Sequence, residues 1–483
     1  AFTASTPPEM LALRVAVGAA LLAFALLVAA LVALRVRVGA GRALARRRTI
    51  GFLHPYCNDG GGGERVLWVA VRDLLARGVL DPAGWRIVVY TGDAVSDDEI
   101  RRHSLARFGV EVPPAVEFVR LSLRGAIDPK RYPVATLIGQ ALGSVVLAAE
   151  AICRAPPDVL VDTTGLGFCY PLLRAAGVAR VAAYVHYPIV SSDMLRAVGS
   201  RRAAHNNAGA IARSSLGTAL KLAYYRCLAA LYGLAGRCAL VVMANGSWTA
   251  AHLTELWRGK PALVFPPCDT AALRALPLTG PTGGRRPHVL SLAQFRPEKD
   301  HALQLRAFAI LLAQHDASPP PRPARPKLLV AGAVRHAADQ TLLDGLKAQA
   351  AALGLSDDDV SFLPNLPLAE VRGLLGSASV GLHTMWNEHF GIGVVEMMAA
   401  GLAVVAHASG GPAMDIIGPK GDAGLLAATD TEYADAMGQL LLARGAEPRR
   451  AAMGAAARSS VEARFSEAAF SEAFCAQLAA ALP

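Results

Sequence analysis

Hydrophobic and polar positions divide the 483-residue chain into an opening apolar block followed by two alternating series. The block, Val15 to Leu34, runs for twenty residues without a charge or a proline. At 1.5 Å per residue that is enough to cross a hydrocarbon core of roughly 30 Å, so it predicts a transmembrane helix. Behind it, Thr49 to Leu53 is a short apolar run that ends in the turn-rich His54 to Gly63, and Glu64 to Leu75 then has helical spacing. Trp85 to Tyr90, Val116 to Leu121, Asp158 to Asp162 and Val181 to His186 read as further strands. A second series begins at His288, with strands at His288 to Ala293, Lys327 to Ala331, Val360 to Leu363, Val380 to His383 and Ala403 to His407. Helical patterns at His301 to Gln314 and Leu342 to Leu353 separate the first of these. Alternating strands and helices predict parallel sheets covered by helices, and two such series predict two Rossmann-like α/β domains. The apolar stretches Ala141 to Cys153 and Leu220 to Leu240 carry a charge or glycines and read as buried or membrane-surface helices.

The expected organisation is an anchor with its basic flank (1–48), an N-terminal domain (49–275), a Gly/Pro/Arg-rich hinge (276–287), a second domain (288–450) and a C-terminal helical segment (451–483). The proline-rich Ser318 to Arg325 reads as a surface insertion. Charge then orients the anchor. The apolar run is long for a cleaved signal peptide, Glu9 precedes it, and Arg35, Arg37, Arg42, Arg46, Arg47 and Arg48 follow it. Basic flanks stay on the cytoplasmic side, so a single-pass anchor with the bulk of the chain in the cytosol is expected. A net charge of +10 favours anionic partners such as phosphates. Nucleic acid is not expected, because zinc-finger spacing, RNP-like runs and a sustained basic helix beyond the N-terminal region are all lacking. Seven scattered cysteines form no CxxC pair, which argues against a disulfide framework or a zinc site and for a reducing compartment.

Candidate chemistry concentrates at Glu388-His-Phe-Gly-Ile-Gly-Val-Val-Glu396, a turn between a strand and a helix. Gly391 and Gly393 let a ligand approach the backbone, the first helical amides can donate to phosphate oxygens, and the two carboxylates can accept from hydroxyls. Two acids beside the positive end of a helix are the plainer alternative. The loop Gly60 to Gly63 also precedes a helix, but no Gly-Lys-Ser or Gly-Lys-Thr follows, so it is not a P-loop. His186 alone would read as a satisfied loop histidine, and Trp248 and Trp386 as packing residues. Asn245-Gly246-Ser247 matches a glycosylation sequon that a cytosolic location would leave unused.

The Glu-x7-Glu segment resembles the motif of the retaining family 4 glycosyltransferases, which have the GT-B fold with a donor cleft between two Rossmann-like domains. Six runs look like one group within that family, the GDP-mannose-dependent α-1,2-mannosyltransferases that extend dolichyl-diphosphate oligosaccharide by its fourth and fifth mannoses. They are His54-Pro-Tyr-Cys-Asn-Asp-Gly-Gly-Gly-Gly-Glu-Arg, Tyr184-Val-His-Tyr-Pro, Pro266-Pro-Cys-Asp, Gln294-Phe-Arg-Pro-Glu-Lys, His383-Thr-Met-Trp-Asn-Glu-His-Phe-Gly and Ser409-Gly-Gly-Pro. The resemblance implies that Glu388 contacts donor-sugar hydroxyls, Glu396 contacts the ribose, and Arg296 and Lys299 hold the donor diphosphate. Phe390, Gly391, Ile392 and Gly393 would complete the donor site, with Gly62, Gly63 and Glu64 closing over it and Ser409 to Gly411 lining it. His186 would orient donor or acceptor. With a cationic pair present no metal or other cofactor is implied, and the leaving diphosphate would serve as base on the front face. Where the commoner family pattern has Gly-Arg this chain has Ala293-Gln294, which makes Arg296 the weaker of the two cations. Location in the endoplasmic reticulum membrane beside other mannosyltransferases of the pathway is also implied. A related glycosyltransferase with another donor or lipid acceptor, and a catalytically silent scaffold of the same fold, are the rival readings.

Overall fold

The computed structural model describes residues 8–190, 194, 215–278, 285–418 and 421–483. Two sheets, parallel throughout, form its frame. The first runs β3-β2-β1-β4-β5-β6-β7, built from β1 (Arg48–Leu53), β2 (Trp85–Thr91), β3 (Val116–Arg120), β4 (Val159–Asp162), β5 (Arg180–Val185), β6 (Val241–Ala244) and β7 (Ala262–Leu263). The second runs β10-β9-β8-β11-β12-β13, built from β8 (Arg286–Leu292), β9 (Lys327–Gly332), β10 (Val360–Pro364), β11 (Ala378–Leu382), β12 (Ala403–His407) and β13 (Gly424–Ala427). Central strands such as β4, β11 and β12 are buried along their whole length, which is why they appear in the sequence as unbroken apolar runs. All seven cysteines are unpaired, and Cys57, Cys169, Cys268 and Cys475 are buried among apolar side chains.

Strand order reverses between β1 and β4 in the first sheet and between β8 and β11 in the second. At such switch points the loops leaving the carboxyl ends of neighbouring strands diverge and open a crevice. Register brings Leu53 opposite Asp162 and Leu382 opposite Ser291, so the segments that follow these four strands emerge level with one another. The glycine loop, Lys299 and the Glu388 to Glu396 motif lie on these loops or on the helices they lead into, while His186 follows β5 and Ser409 to Gly411 follow β12.

The opening helix departs from its expected length. It spans Pro8–Leu44, 37 residues, and does not stop where charge begins. Leu31, Leu34 and Gly41 are half-buried and Val38 is buried on one face against the N-terminal domain. This helix, α1, docks on the C-terminal ends of α4 (Thr136–Arg154) and α5 (Tyr170–Ala175), reached through α2 (Gly62–Ala76) and α3 (Asp97–Phe108) in chain order. Arg37 donates to Cys153 O at 3.3 Å, Arg35 to Ala175 O at 3.1 Å and Arg42 to Gly177 O at 3.1 Å. Cys153 and Ala175 lie in the last turns of their helices and carry the negative end of the dipole, so Arg37 and Arg35 act as caps, while Arg42 ties down the turn that follows α5. Burial of Val38 contributes about 1.5 kcal/mol more. Among the described residues α1 and α4 are the two helices long and apolar enough to cross a membrane. In α4, however, Gly143, Leu147, Ala148, Ala151 and Ile152 are buried in the domain, while Ile138, Leu142 and Val146 form an exposed stripe at four-residue spacing. The helix Ser215–Gly236 likewise exposes Leu220, Leu231 and Leu234.

The hinge stretch lies partly outside the described residues, at 279–284. The C-terminal region is two helices, Ala446–Phe465 on the second domain and Glu467–Ala479, which crosses back. Phe470, Phe474 and Leu478 enter the core beneath β1 and α2, and Glu467 pairs with Arg65 at 2.5 Å and Arg72 at 2.9 Å. The last helix therefore ties the two domains together.

Candidate active site

Strand β11 delivers the chain to a tight loop, Thr384 to Gly391, before the helix Ile392–Ala399. Thr384 Oγ1 donates to Lys299 O at 2.8 Å and accepts from Gln304 Nε2 at 2.8 Å, fastening the loop after β8 to the loop after β11. Lys299 Nζ donates to Glu388 Oε2, and His383 Nε2 lies 3.5 Å from the same oxygen. Burial pushes the Glu388 carboxyl up, but the His383 hydrogen bond and the Lys299 charge outweigh it and hold the pKa at about 2. Glu388 is thus a fixed acceptor at any physiological pH.

Backbone geometry sets that carboxylate. Gly391 has φ +109°, a left-handed conformation that favours glycine, and it turns the chain into the helix. The segment after β12 buttresses the loop from below. Gly411 N donates to Glu388 O at 2.7 Å and Ser409 Oγ accepts from Asn387 N at 2.8 Å. Ser409 to Gly411 hold the motif's backbone. A Cβ on Gly411 would fall 2.4 Å from Phe390 O, so Gly411→Ala must displace the loop. We expect kcat to fall at least about tenfold, because an ångström of misplacement can cost far more than that. A normal kcat in steady-state transfer assays would show that the buttress is dispensable.

The two motif glutamates separate in space. Glu396, one helical turn further on, is half-buried in a cavity of about 290 Å³ between the domains. Gly60 to Gly62, Arg65 and Arg107 line it from the N-terminal domain, and Leu292, Gln294 and Arg335 from the second. Burial raises the Glu396 carboxyl, and the charges of Arg65 and Arg107 oppose the shift. Ile392 lies in the same wall, and a Cβ on Gly62 would come within 2.8 Å of its Cδ1, so the glycine loop faces the motif across the cleft. Gly393 packs close beneath β8, its Cβ position 3.1 Å from Leu292 O.

Opposite, β5 leads into His186, whose Nε2 is 3.2 Å from Thr163 O. A carbonyl only accepts, so Nε2 carries the proton. Burial, with the neighbouring His54 adding to it, pulls the His186 pKa down to about 4, and the ring is neutral. Gly63 sits against this ring, its Cβ position 3.5 Å from Nε2.

Three expectations need correction, those for Glu64, Phe390 and Trp386. Glu64 does not close over the cleft: it turns inward, accepting from Gly61 N and meeting His54 Nε2 at 3.1 Å, and so holds the glycine loop. Burial raises its carboxyl, but the His54 contact and backbone donors bring the net shift below the usual value. Arg296, expected on the donor diphosphate with Lys299, is partly exposed with Glu298 at 3.9 Å, while Lys299 alone of the two meets Glu388. The Phe390 ring is 4% exposed and packs with Phe265 and Phe465 at 5.9 and 5.4 Å, leaving only its backbone toward the loop. Trp386 is not a packing residue, being 65% exposed, whereas Trp248 does pack, stacked on His389. Sequence reasoning assigned no role to His383, Arg65 or Arg107. His383 and Arg65 stand inside the quoted runs, yet only the fold shows what they touch.

A neutral histidine beside the glycine loop, an ionised carboxylate held by a lysine, and a second carboxylate in a basic interdomain cavity all stand at or just beyond the carboxyl ends of parallel strands. This arrangement suits a nucleotide diphosphate and a sugar. Solved structures share the frame. A glycosyltransferase from Rickettsia africae superposes with a TM-score of 0.58 at 15% identity, covering 90% of this chain and 99% of that one. Anabaena HepE in complex with UDP-glucose does so with a TM-score of 0.55 at 16% identity, covering 89% and 99%. Residues 281–460 match the glycosyl transferases group 1 model. The protein is a glycosyltransferase of the GT-B fold.

Residues 47–257 match the model described as ALG11 mannosyltransferase N-terminus. Similarity to GDP-Man:Man(3)GlcNAc(2)-PP-Dol α-1,2-mannosyltransferases extends over most of the chain. It is 42% identical to the Xenopus tropicalis protein over 89% of this chain and 87% of that one. The human protein is also 42% identical, over 88% and 85%, and the Dictyostelium discoideum protein 40%, over 91% and 86%. The chain belongs to the ALG11 mannosyltransferase family.

Proposed function

We propose that this chain transfers mannose from GDP-mannose, in α-1,2 linkage and with retention, to a dolichyl-diphosphate-linked oligosaccharide carrying three mannoses, adding the fourth and fifth. The observation that carries the reading is the Lys299–Glu388–His383 cluster in a chain 42% identical, nearly end to end, to proteins named for that reaction. Glu388 would take donor-sugar hydroxyls, Glu396 the ribose, and Lys299 the charge that grows on the departing diphosphate. His186, neutral, would orient the reacting sugar rather than exchange protons. The lysine and the helix amides supply the positive charge that a divalent cation provides elsewhere, so we propose a metal-independent reaction, which EDTA would leave unaffected. Incubating purified protein with GDP-mannose and the three-mannose lipid-linked acceptor, followed by linkage analysis, tests the whole reading. Product made only from another nucleotide sugar, or no product, would overturn it.

We further propose that the protein works at the endoplasmic reticulum membrane as a single-pass protein with its domains in the cytosol, beside other mannosyltransferases of the pathway. The apolar α1 and its arginine-rich end support this. Because α1 is docked from Leu31 onward, the informative truncation removes residues 1–30 and keeps the docked turns. We expect at least a tenfold loss with dolichol-linked acceptor in membranes, and at most about a twofold loss with a soluble analogue, since one span supplies most of the membrane affinity. Equal losses with both acceptors would show that α1 serves folding instead.

A further inference from the structure

The segment just beyond His186 makes a contact that the reaction outlined above does not use. Tyr187 is 57% exposed, and its ring stacks on His389 with centroids 5.4 Å apart and an interplanar angle of 22°. Trp248 also stacks on His389, at 4.6 Å and 27°. Tyr187 and Trp248 belong to the N-terminal domain, whereas His389 follows Glu388 in the donor loop. The helix that Trp248 enters, Ser247–Trp257, is clamped to the second domain as well, with Ser247 N donating to Asp415 Oδ2 at 2.7 Å. The donor loop is therefore gripped from across the cleft by two aromatic rings.

Tyr187 also forms part of a cavity of about 570 Å³ in the N-terminal domain, with Tyr56, Leu137, Gln140, Ser144 and Thr164. Two aromatic rings among apolar walls, with an amide and two hydroxyls at intervals, suit a saccharide, whose C–H faces lie on rings while its hydroxyls find polar partners. The cavity adjoins the segments that carry and hold His186. Thr164 follows the residue whose carbonyl holds His186, and Tyr187 is next to His186 in sequence.

We propose that this cavity receives the saccharide end of the acceptor and that Tyr187 couples its occupancy to the donor loop. This rests on the glycosyl-transfer reading above. A sugar packed against Tyr187 fixes the ring, the ring fixes His389, and the donor loop, with the first amides of the helix it opens, is held where the donor diphosphate needs it. Two ligands that each favour the same arrangement strengthen one another's binding reciprocally.

The test is the dissociation constant of GDP, measured by calorimetry with and without a saturating soluble three-mannose oligosaccharide. In the unaltered protein the saccharide should tighten GDP about five- to tenfold, within the ordinary range of such couplings. Tyr187→Leu should abolish that gain while GDP alone binds within about twofold of normal, which also shows that the variant is folded. Tyr187→Phe, which keeps the ring, should retain the gain. No gain in the unaltered protein, a gain kept by Tyr187→Leu, or a gain lost in Tyr187→Phe would each overturn the proposal. Failure of the underlying reading appears separately, as absence of transfer to the lipid-linked acceptor by the unaltered protein.

Discussion

Glu388→Gln is expected to lower kcat about 10²- to 10³-fold, the loss found when one fixed group that stabilises charge or holds hydroxyls in the transition state is removed. The substitution keeps the shape of the side chain and deletes its charge. Lys299 then loses its charged acceptor in a half-buried site, and the His383 contact weakens, so stability should fall by about 1–3 kcal/mol as well. A melting curve separates this cost from the catalytic one. The pH dependence adds a second check. A carboxyl held at about 2 in the folded chain contributes stability above its unfolded pKa of about 4.3, and that stability is lost as the pH falls toward 2. The kcat deficit and the stability difference should therefore be constant from about pH 6 to 8, where Glu388 is ionised in both states. A deficit confined to KM, or one that disappears at mildly acidic pH, would remove Glu388 from its assigned role.

Lys299→Met is expected to reduce kcat/KM by about 10²-fold or more and to weaken GDP binding, since methionine keeps much of the stem and loses the charge. Lys299 is tied on three sides: its carbonyl to Thr384, its ammonium to Glu388, and Met385 Sδ 3.1 Å away. A cation held this way needs no reordering when the diphosphate departs. Arg296→Met should cost less than about tenfold, because a side chain that is already partly in water brings little preorganised charge. Calorimetry with GDP and steady-state kinetics on both variants decide the matter. Equal losses would restore the two-cation cradle, and a larger loss at Arg296 would invert the assignment.

Much of the frame was legible because it follows from local pattern. Buried parallel strands such as β4 and β12 must be apolar on both faces, and glycine-rich turns after strands mark where helices begin. The motif from Glu388 to Glu396 was legible for the same reason, as a strand, a turn and a helix. What pattern cannot supply is direction. Glu64 sits beside the glycine loop in sequence, but only the placement of His54 just after β1 turns it inward. The length of α1 was underestimated because composition changes at Arg35, whereas helicity continues as long as the arginines find carbonyls to cap. Trp386 and Phe390 are both large and apolar and four residues apart, yet one faces water and the other the core. The stacking of Tyr187 on His389 joins positions two hundred residues apart that no spacing rule connects.

The seating of α1 has a mechanical consequence. At 1.5 Å per residue its 37 residues form a post about 55 Å long, and its lower turns are bolted to the N-terminal domain by three guanidinium groups and a buried valine. A flexible tether would let the whole enzyme tumble at the end of a leash. A post does not: any bilayer that α1 crosses is held at a set angle to the N-terminal domain. Any movement between the two domains would then leave the angle between the N-terminal domain and that bilayer unchanged.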